Sequence, residues 1–262
     1  MGTSITDPPA LTVGDVTLSC RDPRIIVPLT AADAAGLDAE VAAALDGGAD
    51  LVEWRVDHFT SRGDVDAVAA QCRALADRLG AVPLLATVRT AAEGGATVVT
   101  DDEYLTLVRA LCERGAARLV DVEYRQRAAA TAIDLAHANG VLVVASNHDF
   151  EATPAEDDLV ERLATMERMG ADVAKVAVMP RSMLDVHTLL RATTVQFARA
   201  RVPLITMSMG RLGLISRLSG QLFGSCATFA TAGAASAPGQ VPVADARAAF
   251  DLLRRLGGGP VG

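Results

Sequence analysis

The chain has 262 residues, half of them hydrophobic and only 3% aromatic, so Ala, Val, Leu and Ile must fill its core and few rings are available for stacking nucleic-acid bases. A formal net charge of −8 and a pI near 5.0 exclude polyanion binding by bulk electrostatics and leave any anionic ligand to locally placed arginines. Cys20, Cys72, Cys112 and Cys226 show no paired spacing, and no apolar run reaches the ~20 residues of a membrane span, so a soluble cytoplasmic protein with reduced thiols is expected.

Taken in chain order, residues 1–9 are polar and Pro-rich and are expected to be loose, as is 257–262 at the other end. Leu11 to Cys20 alternates apolar and polar residues around Gly14-Asp15, which predicts a β-hairpin. Eight short apolar, β-branched runs follow: Arg24 to Leu29, Asp50 to Val56, Pro83 to Arg89, Arg118 to Glu123, Val141 to Asn147, Asp172 to Val178, Pro203 to Ser208 and Gln221 to Ser225. Amphipathic segments lie between them, among them Asp33 to Leu45, Asp64 to Leu79 and Asp157 to Met169. Gly47-Gly48, Gly80, Gly115, Gly140 and Gly170 stop helices just ahead of strands. Eight βα units in about 250 residues predict an α/β fold, a (β/α)8 TIM barrel, with the hairpin covering its floor. An open doubly wound sheet is the alternative, but no GxGxxG follows the first strand. With no linker-like stretch or internal repeat, 1–262 reads as a single domain.

Strands of such a barrel are covered on both faces, so charges inside them need a reason. Alternation puts Glu53, Arg55 and Asp57 on one face; the third strand ends in Thr87 and Arg89, the fourth in Asp121 and Glu123, the fifth in Ser146 and His148. All lie toward strand C-terminal ends, where (β/α)8 enzymes carry their chemistry. Buried ion pairs that merely fix the fold are the plainer reading. Their spread over four successive strands favours a charged pocket mouth above an aliphatic barrel.

On the sixth strand stands Lys175, the only lysine beside 23 arginines. A guanidinium stays protonated, whereas an amine can lose its proton and attack a carbonyl to form a Schiff base. A GC-rich composition that happens to retain one lysine is the bland account. At a free-solution pKa of ~10.4 only a few amines in ten thousand are neutral at pH 7. Burial and neighbouring arginines would lower that value; nearby carboxylates would act oppositely. His148 ends the adjacent strand and is placed to serve as general base, an orienting role being the alternative. His58, His137 and His187 fall at a strand exit or on helices, where solvated or capping roles are expected. No spacing of His, Cys and carboxylates resembles a metal site. Arg217 offers a two-pronged grip for a carboxylate, with Ser236 and Gln240 as uncharged partners. Gly210-Arg211-Leu212-Gly213 could cradle a phosphate, but that spacing is common by chance.

Across nearly the whole chain the motifs resemble type I 3-dehydroquinate dehydratase, the Schiff-base enzyme of the shikimate pathway. They run from Ile25-Ile26-Val27 through Glu53-Trp54-Arg55-Val56-Asp57, Thr87-Val88-Arg89 with Glu93-Gly94-Gly95, and Ser146-Asn147-His148-Asp149-Phe150. They continue with Lys175-Val176-Ala177-Val178-Met179-Pro180 and Ile205-Thr206-Met207-Ser208-Met209, and end in Ile215-Ser216-Arg217 and Ser236-Ala237-Pro238-Gly239-Gln240. The resemblance implies a homodimeric barrel without metal or cofactor that dehydrates 3-dehydroquinate to 3-dehydroshikimate. It implies Lys175 as the imine-forming residue, His148 as general acid/base and Glu93 as the group orienting it, with Asp121 in support. Glu53, Arg55 and Arg89 would contact the substrate's hydroxyl side, Arg217, Ser236 and Gln240 its carboxylate, and Met207, Met209 and Phe229 would be walls. Pro28 departs from the pattern where some members carry a serine ligand, with Thr30 as candidate substitute, and Arg211-Leu212 replaces an expected acidic, glycine-adjacent loop. A class I aldolase using the same imine and a non-catalytic carboxylate-binding barrel are the competing functions.

Overall fold

The computed structural model describes residues 8–233 and 236–256; the expectation of loose ends at 1–7 and 257–262 concerns residues outside these. A hairpin of β1 (Leu11–Val13) and β2 (Val16–Leu18) precedes eight parallel strands: β3 (Arg24–Leu29), β4 (Leu51–Arg55), β5 (Leu84–Thr87), β6 (Leu119–Glu123), β7 (Leu142–Asp149), β8 (Val173–Val178), β9 (Leu204–Ser208) and β10 (Ala227–Phe229). Helices alternate with them: α1 (Ala34–Asp46), α2 (Val65–Leu79), α3 (Asp101–Glu113), α4 (Ala129–Ala138), α5 (Glu156–Arg168), α6 (Met183–Phe197), the short α7 (Leu214–Leu218) and α8 (Val243–Leu256). The sheet runs β10-β3-β4-β5-β6-β7-β8-β9, and its two ends meet through the Leu204–Ser225 bridge, where Cys226 N–H donates to the Leu204 carbonyl at 2.7 Å. This is the (β/α)8 barrel that the alternation predicts.

Helix starts follow local chemistry. Asp33 and Asp64 sit one residue ahead of α1 and α2, their carboxylates accepting first-turn N–H groups. Thr100 with Glu103 and Ser182 with Asp185 form capping boxes on α3 and α6. Strand side chains then divide by parity. Val27, Leu29, Val52, Trp54, Val120 and Val143 pack outward against the helices. Ile26, Leu51, Leu85, Leu119, Val144, Val173 and Ile205 fill the interior together with Val13 and Leu18 of the hairpin. The hairpin therefore seals the floor, also holding Arg24, whose Nε donates to the Thr17 carbonyl at 2.9 Å. Among the described residues no helix is long and apolar enough to cross a membrane.

One strand lies elsewhere than its sequence suggests. Gly220–Phe223, which overlaps the start of the expected strand Gln221 to Ser225, forms a 3-10 turn, and the strand is Ala227–Phe229. Gly224 closes the turn at φ 105, and a Cβ there would lie 2.4 Å from the Phe197 ring of α6. The apolar pair Leu222-Phe223 imitates a strand, but its bracketing glycines let the chain turn before it pairs.

Candidate active site

Parallel register places the chemistry in layers. Val173 belongs to the aliphatic floor, Lys175 stands one inward position above it opposite Ser146, and His148 pairs with Ala177 one position higher. Lys175 is 4% exposed, with Nζ 3.3 Å from Asp121 Oδ2, 3.9 Å from Glu53 Oε1 and 4.4 Å from the centroid of the Phe229 ring. Its nearest charged partners are thus carboxylates, not arginines. Asp121 also pairs with Arg89 at 2.8 Å and accepts from Ser146 Oγ at 2.6 Å. Burial alone would raise its pKa, but Arg89 and then Lys175 hold it below the usual carboxylate range. Glu53 Oε1 accepts from the Thr87 hydroxyl at 2.8 Å.

His148 is turned by the loop after β5. Glu93 Oε2 receives the His148 backbone N–H at 2.8 Å and lies 3.0 Å from Nδ1, while Glu93 Oε1 accepts from Asn147 Nδ2 at 2.9 Å. An ionised carboxylate facing Nδ1 favours a proton there and leaves Nε2 free. Burial, then the charges of Arg89, Lys175 and Arg55, holds the imidazole pKa well below its ordinary value, so it is neutral near pH 7. Burial raises Glu93 to about 7, with Glu123 adding to the rise and Arg89, Asn147 and the His148 N–H opposing it. The turn is possible because Gly94 adopts φ 79 against Phe150 and Gly95 lies against the Arg89 carbonyl, where a Cβ would come within 2.0 Å.

Arginines complete the walls. Arg89 bridges Asp121, Glu123 at 3.0 Å and Glu93 at 3.6 Å, and these carboxylates raise its pKa against the opposing effect of burial. Arg55 makes a two-pronged bond to Asp57, Nε to Oδ1 at 2.8 Å and Nη2 to Oδ2 at 2.7 Å. Arg217 differs from both. It is 2% exposed, and among the described residues its guanidinium meets only the Phe229 carbonyl at 3.4 Å, the Pro238 carbonyl at 3.1 Å and the Met207 sulfur at 3.6 Å. Among the described residues no carboxylate pairs with it, Nε has no partner, and burial lowers its pKa to about 10. A buried cation without a counter-ion is a prepared anion site. Ser236 and Gln240 are joined in a closed loop, Gln240 Nε2 donating to Ser236 Oγ at 3.0 Å and the Ser236 N–H donating to Gln240 Oε1 at 2.8 Å.

One cavity takes in Lys175, His148 and Glu93; Glu53, Arg55 and Arg89; Arg217, Ser236 and Gln240; and Met207 and Phe229, while Asp121 lies outside its lining. Met209 lines it as expected, and Gly94, Phe150, Ala177 and Ala237 also belong to the lining. Pro28 and Thr30 do not, and the Thr30 N–H donates to Glu40 instead. Arg162, which donates to Asn147 Oδ1 at 2.6 Å, had no distinguishing signal among so many helix-borne arginines. No described cluster of three or more His, Cys, Asp and Glu side chains is arranged to hold a metal ion. A nucleophilic amine, an imidazole fixed by a carboxylate and an open guanidinium sharing one cavity can together activate a ketone, move a proton and grip an acid.

The whole chain is similar to known proteins. The family model Type I 3-dehydroquinase matches residues 25–256. A 3-dehydroquinate dehydratase of Klebsiella pneumoniae (strain 342) is 44% identical over 247 residues, covering 93% of this chain and 98% of the relative. One from Listeria monocytogenes is 45% identical, covering 93% and 97%. The crystal structure of 3-dehydroquinate dehydratase from Geobacillus kaustophilus HTA426 superposes with a TM-score of 0.91 at 38% identity, covering 95% of this chain and 98% of that one. The type I enzyme of Clostridium difficile, solved with covalently modified comenic acid, gives 0.91 at 36% identity, covering 95% and 99%. With its family model spanning the barrel and its relatives matched nearly end to end, the chain belongs to the type I 3-dehydroquinases.

Proposed function

We propose that this enzyme dehydrates 3-dehydroquinate to 3-dehydroshikimate through an imine on Lys175. The observation that carries the reading is the meeting of Lys175, the Glu93–His148 pair and the unpaired Arg217 in one cavity. The neutral amine attacks the C3 ketone and water leaves, giving an iminium that acidifies the C2 hydrogen. His148 Nε2 takes that proton. The resulting enamine expels the C1 hydroxyl, to which His148 returns the proton as a second water departs, and hydrolysis of the remaining iminium frees the product and the lysine. Arg217 holds the substrate carboxylate with the Ser236–Gln240 loop, Glu53, Arg55 and Arg89 face the hydroxyl side, and Met207 and Phe229 are walls. Holding hydrogen and base in line contributes alongside the covalent step. Lys175 supplies the electron sink, so the proposed chemistry calls for no cofactor or metal.

The test is borohydride trapping with 3-dehydroquinate, read by mass spectrometry, beside the ultraviolet dehydration assay. Lys175→Ala is expected to lose turnover by at least about 10⁴-fold and to form no adduct. His148→Ala is expected to lose about 10²- to 10⁴-fold and still form the imine. An adduct on another residue, or binding without dehydration by the wild type, would refute the assignment.

Three coarser expectations belong to the same reading. Residues 1–262 act as one domain, which a single unfolding transition would report. The free thiols, three of them buried, suit the reducing cytoplasm, which cell fractionation tests. Exposed apolar side chains on α6 (Met183, Leu184) and on and after α7 (Leu214, Ile215, Leu222) support a homodimer, which sedimentation equilibrium would detect.

A further inference from the structure

We infer that Asn147, held by Arg162, is a positioning residue for the histidine base: it fixes the Glu93 carboxylate so that His148 presents a free Nε2 to the substrate. The inference rests on the reading of His148 as the base, and it concerns two residues outside the cavity lining. Asn147 falls between the inward Ser146 and His148 on β7, so parity turns its side chain out of the barrel, where it is 2% exposed. A buried amide there costs about 1–3 kcal/mol unless its hydrogen bonds are made. Both ends make one. Oδ1 accepts from Arg162 Nη1 at 2.6 Å, and Nδ2 donates to Glu93 Oε1 at 2.9 Å.

The guanidinium decides which way the amide points. Arg162 has donors only, so the oxygen must face it and the NH₂ must face Glu93. Arg162 is itself fixed by Asp149, 3.7 Å away. Glu93 then receives Asn147 on one oxygen and both the backbone N–H and Nδ1 of His148 on the other. The ionised carboxylate accepts from all three groups far more strongly than the neutral acid would. Without Asn147, Oε1 is open to a proton, and a neutral Glu93 no longer favours the Nδ1–H tautomer or stabilises the imidazolium that forms during proton transfer.

The charged surroundings give this arrangement its pH dependence. Arg89, two residues beyond β5, faces Glu93 at 3.6 Å and favours its anion; burial and Glu123 of β6 oppose it. Arg89, Lys175 of β8 and Arg55 of β4 keep His148 neutral. Asp57 fixes the other end of the Glu93 loop by accepting the Ala96 N–H at 2.9 Å. Glu93 therefore stands near its titration point, and one neutral donor can shift it.

The experiment is the pH dependence of kcat and KM for 3-dehydroquinate dehydration by wild type, Asn147→Leu, Arg162→Leu and Arg162→Lys. The acid limb of kcat is expected to move up by about one pH unit in Asn147→Leu and less in Arg162→Leu. Arg162→Lys should restore the wild-type limb, since an ammonium also donates to Oδ1. On the alkaline plateau kcat should stay within roughly threefold of wild type, and KM should not change. Should Asn147→Leu not fold, the two Arg162 variants read the same limb. Limbs that coincide in all variants, or a loss uniform across pH, would overturn the inference. A wild type that does not dehydrate the substrate would instead sink the functional reading beneath it.

Discussion

Arg217 shows what a single side chain can sacrifice for binding. Its guanidinium is buried with two carbonyls and a sulfur for company, while Arg55 and Arg89 each sit on carboxylates. An unpaired buried cation lowers the stability of the empty protein and makes the cavity selective for an anion. Arg217→Met is therefore expected to stabilise the ligand-free enzyme by about 1 kcal/mol, roughly 2–4 °C in Tm, and to raise KM on the order of 30-fold, equivalent to ~2 kcal/mol. Calorimetry and steady-state kinetics on the same preparation check both signs, and an unchanged KM would remove Arg217 from the carboxylate role. The identity of this residue was legible only through the motif carrying it. On a five-residue helix nothing in the spacing separates a buried guanidinium from a solvated one.

At the level of elements, the segment from Val88 to Thr97 carries Glu93 from β5 across to His148 on β7. No periodicity announces it, because its shape comes from Gly94, Gly95 and a bond made by a distant strand exit. Asp57 supplies that bond, accepting from Ala96 N–H at 2.9 Å while clamping Arg55. Burial alone would raise the Asp57 pKa, but the Arg55 hydrogen bonds and charge, with the Ala96 N–H, lower it from 3.8. A carboxylate whose pKa is depressed by folding adds stability that is fully present above its unfolded value and is lost as pH falls through the folded one. Asp57→Asn is thus expected to cost about 3 kcal/mol at pH 7, with the gap to wild type closing below about pH 4. Urea unfolding at pH 7 and at pH 3 measures it; a gap independent of pH would show that Asp57 contributes through shape alone.

For the molecule as a whole, the candidate site lies at one end of a barrel that is sealed at the other. Leu18, 1% exposed, lies under Leu51, Leu85, Leu119, Val144 and Val173, and these separate it from the Lys175 layer. Leu18→Ala is expected to cost about 2–5 kcal/mol in urea unfolding and to leave kcat within about threefold. A comparable loss of kcat at full folding would mean that the floor is coupled to the site. The period-2 alternation of Glu53 and Arg55, Thr87 and Arg89, Asp121 and Glu123, and Ser146 and His148 made the charged mouth readable. A strand gives its side chains two directions only, and water tolerates the charges in just one of them. The count of lysines singled out Lys175 in the same way. The last strand was misread because Leu222-Phe223 has strand chemistry, while three short residues, Ala227–Phe229, pair only because the barrel must close beside β3 and β9. Sequence alone determined the architecture, the candidate nucleophile Lys175 and which residues face inward, since these follow from local periodicity and residue type. Only the tertiary structure decided that the amine rests on Asp121 and Glu53, that Arg217 stands without a counter-ion among the described residues, and that Arg162 reaches Glu93 through Asn147. Those facts depend on which side chains from distant segments share the same low-dielectric space, and no local pattern encodes that.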